Sequence, residues 1–380
     1  MLDCIFALTL SYLPFDDLFK ILISEIKYHD IIKKFFNFEF VVECPTLICN
    51  DDLKFLYGVH SISLCYCNNI TDDGLKYLTG VHTINLSHCK ITDDGLKCLT
   101  GVHTINLFDR NEITDDGLKY LTGVHTINLS DCYKITDDGL KYLTGVHTIY
   151  FSCSKITDNR LKYSTGVNNI NLYVCNITDD GLKYLTGVHT INLSCSNITD
   201  DGLKYLTGVH TIDLSCSNIT DDGLKYLTGV HTINLSQCLI TDDGLKYLTG
   251  VHTINLHYSK ITDDGLKYLT GVHTIGLCGC NIADDGLKYL TGVHSINLSC
   301  SDITDDGLKY LTGVHTIALS YSEITDDGLK YLAGVHTINL YCCDKITDDG
   351  FKYLSGVSKI FHYGCDKIKL NDKSLMYDMY

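Results

Sequence analysis

The stretch Ile70-Thr71-Asp72-Asp73-Gly74-Leu75-Lys76-Tyr77-Leu78-Thr79-Gly80-Val81-His82-Thr83-Ile84-Asn85-Leu86 returns with few changes along most of the 380-residue chain. Its opening Ile recurs at Ile91, Ile113, Ile135, Ile156 and onward to Ile346, a period of 21 or 22 residues. Two periodicities meet inside each copy. From Val81 to Ser87, Ile84 and Leu86 alternate with Thr83, Asn85 and Ser87, the pattern of a short strand with one side in a core and the other in water. From Asp93 to Gly101, Leu96 and Leu99 fall on one face at i,i+3, and Thr92 or Asp93 can cap the start. The paired Asp residues meet the positive end of the dipole and Gly101 suits a left-handed C-terminal position, so this half reads as a short helix.

A unit of this size cannot bury its apolar face alone and is stable only when stacked on its neighbours. A period of ~20–29 residues with the pattern L-x-x-L-x-L-x-x-N/C-x-L, met here by Val81, Ile84, Leu86, Cys89 and Ile91, marks a leucine-rich-repeat solenoid. The expected architecture is α/β: a right-handed horseshoe with a parallel sheet on its concave face, short helices on its convex face and a small helical N-terminal segment. Three stretches are expected: the helical segment over 1–43, a solenoid of about 15 repeats over 44–365, and a C-terminal cap or frayed tail over 366–380. The run from Cys67 to Leu78 further resembles the cysteine-containing leucine-rich-repeat subtype, with units trimmed where the helix meets the next strand.

The formal charge of −16 argues against a nucleic-acid partner, which requires a Lys/Arg patch. Most of it comes from the repeat itself, through Asp-Asp pairs running from Asp51-Asp52 to Asp348-Asp349, and reads as a solvated face. The 19 Cys do not read as a disulfide framework. Cys67, Cys89, Cys132, Cys175, Cys238, Cys280, Cys343 and Cys365 share one repeat position with Ser154, Ser196, Ser217, Ser259, Ser301 and Ser322, so the position wants a small, buried, hydrogen-bonding side chain. In Ser194-Cys195-Ser196 and the related runs at Cys153, Cys216 and Cys300, either Ser takes the buried site or the loop slips to admit Cys. A reducing compartment and a cytoplasmic, non-secreted location follow as expectations. Ile5 to Leu10 is apolar but lacks a basic flank, so no signal peptide is expected, and no stretch reaches the ~18 apolar residues of a membrane span.

Ahead of the repeats, Ser11-Tyr12-Leu13-Pro14-Phe15-Asp16-Asp17-Leu18-Phe19-Lys20-Ile21 resembles the middle of an F-box. Leu10 to Pro14 match the end of its first helix, and Asp17 and Leu18 the following turn; the opening Leu-Pro and the closing aromatic are not matched. The resemblance implies a Skp1-like partner within a cullin-based ubiquitin ligase, docked at Leu13, Pro14, Asp17 and Leu18. Near-identical short repeats of this style also resemble those of proteins encoded by giant DNA viruses such as mimivirus, which would place the protein in a host cytoplasm.

Thirteen His residues, from His60 to His336, share one strand position. A linear row does not converge on one point, so no metal is expected there, and the row is a candidate only for spread titration below pH ~6.5. The same trio of residue types repeated in every copy is not one constellation in one pocket, so neither an enzyme nor a cofactor is expected. What selects a partner is where the pattern breaks. Phe108, Tyr150, Tyr173, His257, Tyr258, Tyr321 and Tyr341 interrupt the small polar rows of the strand face, and exposed aromatics on a rigid sheet supply the large contacts that dominate interface energy. The expected function is a protein-binding scaffold, monomeric apart from its partners: an adaptor if the F-box resemblance holds, a plain repeat-binding protein if residues 1–43 only cap the stack.

Overall fold

Each repeat supplies a three-residue strand because its Ile and Leu point to one side while Thr and Asn point to the other. In the computed structural model, which describes residues 39–41, 48–109, 112–152, 156–365 and 367–368, the chain is a right-handed leucine-rich-repeat solenoid with a parallel sheet on one face and short helical turns on the other. It divides into two compact units, Met1–Val188 and His189–Tyr380. The first contains strands β1 (Glu39–Val41), β2 (Ser61–Ser63), β3 (Thr83–Asn85), β4 (Thr104–Asn106), β5 (Thr126–Asn128), β6 (Thr148–Tyr150) and β7 (Asn169–Asn171). The second contains β8 (Thr190–Asn192), β9 (Thr211–Asp213), β10 (Thr232–Asn234), β11 (Thr253–Asn255), β12 (Thr274–Gly276), β13 (Ser295–Asn297), β14 (Thr316–Ala318), β15 (Thr337–Asn339) and β16 (Lys359–Phe361). Within each unit neighbours pair in parallel with identical register, Ile84 opposite Ile105 and Ile233 opposite Ile254.

The helices expected over 1–38, and with them Leu13, Pro14, Asp17 and Leu18, lie outside the described residues, as does the expected tail over 366–380 apart from 367–368. Glu39–Val41, inside the stretch expected to be helical, is instead a strand paired in parallel with β2. The sheet therefore begins ahead of residue 44.

The core is a set of columns: Ile84, Leu86, Ile91, Leu96 and Leu99 are all buried, and so are their counterparts in the other repeats up to Ile360, after which His362 and Ile368 are half-buried. The helical half is shorter than the sequence pattern suggests. Asp93–Leu96 makes one α-turn and Lys97–Leu99 continues as 3-10, while Asp137–Leu143 is 3-10 throughout. A tighter helix has a poorer hydrogen-bond geometry but fits a unit of 21 or 22 residues. Gly101, at φ +87, ends the turn in the left-handed region as expected.

The motif Ile-Thr-Asp-Asp-Gly is explained by the stack. The first Asp of each pair reaches forward one repeat. Asp72 accepts the Thr92 N–H at 2.8 Å through Oδ1 and the Thr92 hydroxyl at 2.6 Å through Oδ2, and Asp93 does the same to Thr114. Thr92 in turn caps its own helix by accepting the Asp94 N–H at 3.3 Å. One column of the acidic pair is thus an inter-repeat staple rather than a merely solvated face; the second Asp is the exposed one, as where Asp94 pairs with Lys97 at 2.5 Å. The Gly is needed for close approach, since a methyl on Gly117 would overlap the stapling Asp93 carboxylate. The first copy is offset from the Asp51-Asp52 reading: Asn50 takes the stapling role, accepting the Thr71 N–H at 2.9 Å, so Asn50-Asp51 occupies the pair.

The buried thiol and hydroxyl column also acquires a mechanism. Cys89 donates back to the Leu64 carbonyl of the preceding strand at 3.0 Å, and Cys238 to Leu214 at 3.0 Å. Ser217, with a shorter side chain, donates to the same Leu214 carbonyl from within its own repeat at 2.5 Å. In the Ser-Cys-Ser runs Ser takes the buried site: Ser196, Ser217 and Ser301 are buried while Cys195, Cys216 and Cys300 are exposed, and the loop does not slip. No disulfide joins the described cysteines.

Candidate functional surface

Three columns of side chains lie on or beside the open face of the sheet. The first is Asn85 and its counterparts. They are half-buried, and each Oδ1 accepts the N–H two residues on, as Asn85 does from Ser87 at 3.0 Å and Asn192 from Ser194 at 2.9 Å. These amides close the end of the strand, which leaves selectivity to the next two columns.

The residue just before the buried thiol or hydroxyl is left-handed in every described repeat, yet only Gly279 and Gly364 among its occupants are glycine. Tyr66, His88, Asp109, Asp131, Val174, Cys195, Cys216, Gln237, Tyr258, Cys300, Tyr321 and Cys342 hold φ between +53 and +62. A non-glycine residue there costs roughly 1–2 kcal/mol, and the side chain varies where the rest of the repeat scarcely does. The third column, one residue earlier, is mostly Ser, with Cys65, Phe108, Tyr173, His257, Cys278, Tyr341 and Tyr363 as departures.

These departures fall into groups. In the first unit Tyr66 stacks on His88 with centroids 4.1 Å apart, His88 meets Phe108 edge-on at 5.2 Å, and its Nδ1 lies 2.8 Å from Asp109. Tyr150 and Tyr173 are exposed on later repeats of the same unit. In the second unit His257 and Tyr258 are bound up with two glycines. A Cβ on Gly276 would come within 2.6 Å of the His257 ring, and one on Gly279 within 2.6 Å of the Tyr258 ring. Gly276 stands where most repeats carry Asn. His257 accepts the Cys278 N–H at 2.8 Å, and its burial pushes its pKa below the usual imidazole value. Further along, Tyr321, Tyr341 and Tyr363 follow one another with centroids 6.0 and 5.4 Å apart.

Tyr150 and Tyr173 are therefore exposed in the first unit, with Phe108 half-buried, and Tyr258, Tyr321 and Tyr341 are exposed in the second, with His257 half-buried. Reasoning from the sequence passed over Tyr66 and Tyr363; the first could have been found by aligning it with His88, and the second by aligning it with Tyr341.

The His column is structural in character. His60 to His147 stack ring on ring in the first unit and His189 to His336 in the second, with centroids 4.4–4.6 Å apart. Where a Thr follows, the Nδ1 sits near its hydroxyl, as His82 to Thr83 at 3.2 Å. Among the described residues no group of three or more His, Cys, Asp or Glu could hold a metal ion, and no helix is long and apolar enough to cross a membrane.

Residues 81–99, 188–206, 209–227, 293–311 and 314–333 match the Leucine Rich repeat family. No curated protein matches the chain by sequence. Among solved structures the chain is similar to an internalin (inlF) from Listeria monocytogenes, at 22% identity and a TM-score of 0.59, over 77% of this chain and 88% of that one. It is also similar to a chain of the mouse RP105/MD-1 complex, at 13% identity and a TM-score of 0.52, over 80% and 67%. A chain of the yeast Rad7 and Elc1 complex matches at 16% identity and a TM-score of 0.50, over 68% and 81%. At these identities the likeness is one of fold.

Proposed function

We propose that this leucine-rich-repeat chain is a non-enzymatic adaptor in the cytoplasm, that of a host cell if the protein is viral. It holds a protein target on the open face of its sheet while residues 1–43 dock a Skp1-like subunit of a cullin-type ubiquitin ligase through Leu13, Pro14, Asp17 and Leu18. The observation that carries target binding is the interlock of His257 with Gly276 and of Tyr258 with Gly279. Two large departures and two glycine departures that fit one another are what maintenance of a surface produces, and Tyr258, exposed on a rigid frame, is the kind of residue that dominates interfaces. Similar solenoids in the mouse RP105/MD-1 and yeast Rad7 and Elc1 complexes support the binding role by analogy of fold. The ligase connection rests on the F-box resemblance. Its test is retention of a purified Skp1-like protein on the immobilised full chain and on a chain lacking residues 1–38, which keeps β1. Retention by the full chain alone supports the adaptor; no retention, or equal retention, removes it.

A second reading has its own observation. Glu39–Val41 adds a strand to the first repeat, as a capping segment does. On this reading the chain is a repeat-binding protein unconnected with ubiquitin, and removal of residues 1–43 leaves the first repeat's edge open and the protein prone to associate.

A further inference from the structure

We propose that Tyr321, Tyr341 and Tyr363 form a docking patch for an arginine-bearing protein segment. This names the partner chemistry for one part of the open face and rests on the protein-binding reading above. The three rings belong to consecutive repeats of the second unit and are exposed by 58%, 37% and 75%. They are tilted against one another by 49° and 32° instead of being stacked flat, so parts of their faces look outward. At the positions of Tyr341 and Tyr363 most repeats carry Ser, as at Ser194, Ser215 and Ser236. Tyr321 is held at φ +57, a conformation that glycine would adopt without strain.

A second column changes over the same end of the second unit. The residue after the buried thiol or hydroxyl is Asn or Lys in most earlier repeats, as at Asn68, Lys90, Asn197 and Asn218, and becomes Glu323 and Asp344 in the repeats of Tyr321 and Tyr341 and Asp302 in the repeat before them. All three acids are exposed. Lys345 pairs with Glu323 at 2.6 Å, which leaves Asp302 and Asp344 as the surplus of negative charge on this edge.

The two columns together select the occupant. A guanidinium is planar, stacks on an aromatic face and presents forked donors to a carboxylate, whereas a lysine ammonium is a compact, strongly hydrated point charge. An acidic segment would be repelled, and a purely apolar one would desolvate carboxylates without giving them donors.

The test uses the intact chain and a fluorescein-labelled peptide of alternating Gly and Arg, with its Lys and citrulline counterparts, read by fluorescence anisotropy. Two double variants return the surface to the repeat's own common residues: Tyr341→Ser with Tyr363→Ser, and Asp302→Asn with Asp344→Asn. Unchanged circular dichroism and thermal midpoints establish that they fold. The Arg peptide is expected to bind more tightly than the Lys peptide and the citrulline peptide not at all. Each double variant is expected to weaken binding about 10-fold, which is ~1.4 kcal/mol, while Tyr133→Asn, at another exposed tyrosine, leaves it unchanged. No binding, equal binding of Lys and Arg peptides, or equal loss in the Tyr133 variant overturns the proposal. Panning a displayed peptide library separates the two readings: retained peptides that lack arginine yet depend on Tyr341 and Tyr363 overturn the arginine assignment and leave protein binding standing.

Discussion

At the residue scale the informative positions are those where one side chain departs from a column. Val174 is β-branched and sits at φ +54, so its backbone is strained in a way glycine is not. Val174→Gly is expected to stabilise the fold by about 1 kcal/mol, less the extra chain entropy glycine brings to the unfolded state, measured by urea denaturation. A decrease in stability would mean that the Val174 side chain contributes more than its backbone costs. The buried thiols carry a pH signature. Burial pushes Cys67, Cys89 and Cys132 up to about 12 from an ordinary value of 9.0. The unfolded chain then loses its thiol protons first, so the stability these groups contribute is present below pH 9 and lost as pH rises from 9 towards 12. Denaturation midpoints are expected to fall over that window, and to fall less steeply in Cys89→Ser with Cys132→Ser.

At the element scale the unit of cohesion is the Asp-to-Thr staple between one helical turn and the next. Ala283 is a natural deletion of half of it: its N–H still reaches Asp263 at 2.9 Å, but the hydroxyl that other repeats donate is missing. Ala283→Thr is expected to add about 1 kcal/mol by restoring both that bond and the helix cap, read as a raised thermal midpoint. The His column behaves as an element too. Partial desolvation first, and then the charge of stacked neighbours, lowers the pKa of His210, His273 and His315 from 6.5. Because the unfolded imidazoles protonate first, stability is greatest above pH 6.5 and declines as pH falls through and below it. Replacing His252 and His294 by Asn, the residue at Asn168, is expected to flatten that decline. An unaltered acid limb would assign it to the carboxylates instead.

At the scale of the whole molecule, the repeats from about 150 to 175 combine several departures within the first unit. Phe151 fills a core Leu position and is fully buried, Ser164 is buried where the repeat carries Leu, and Asn168 interrupts the His column. Losing a buried Leu forgoes ~1.5–3 kcal/mol. Amide exchange is expected to be faster here than in the copies on either side, and Ser164→Leu is expected to slow it; slow exchange in the unaltered chain would contradict a local weak point. The repeat period, the parallel strands, the buried columns and the surface aromatics other than Tyr66 and Tyr363 were legible in the sequence, because periods of two and three to four residues inside a fixed repeat leave few ways to bury Ile84, Leu86, Leu96 and Leu99. The strand at Glu39–Val41, the stapling by Asp72 and its counterparts, and the glycine demanded at Gly117 were not. Nor was the pairing of His257 with Gly276, or the choice of Ser over Cys at Ser196. Each of these depends on how closely side chains about one repeat apart approach across the stack, or on the backbone angle of a single loop residue. Alternation within one repeat determines which residues are buried; only the stacked structure decides which of them meet.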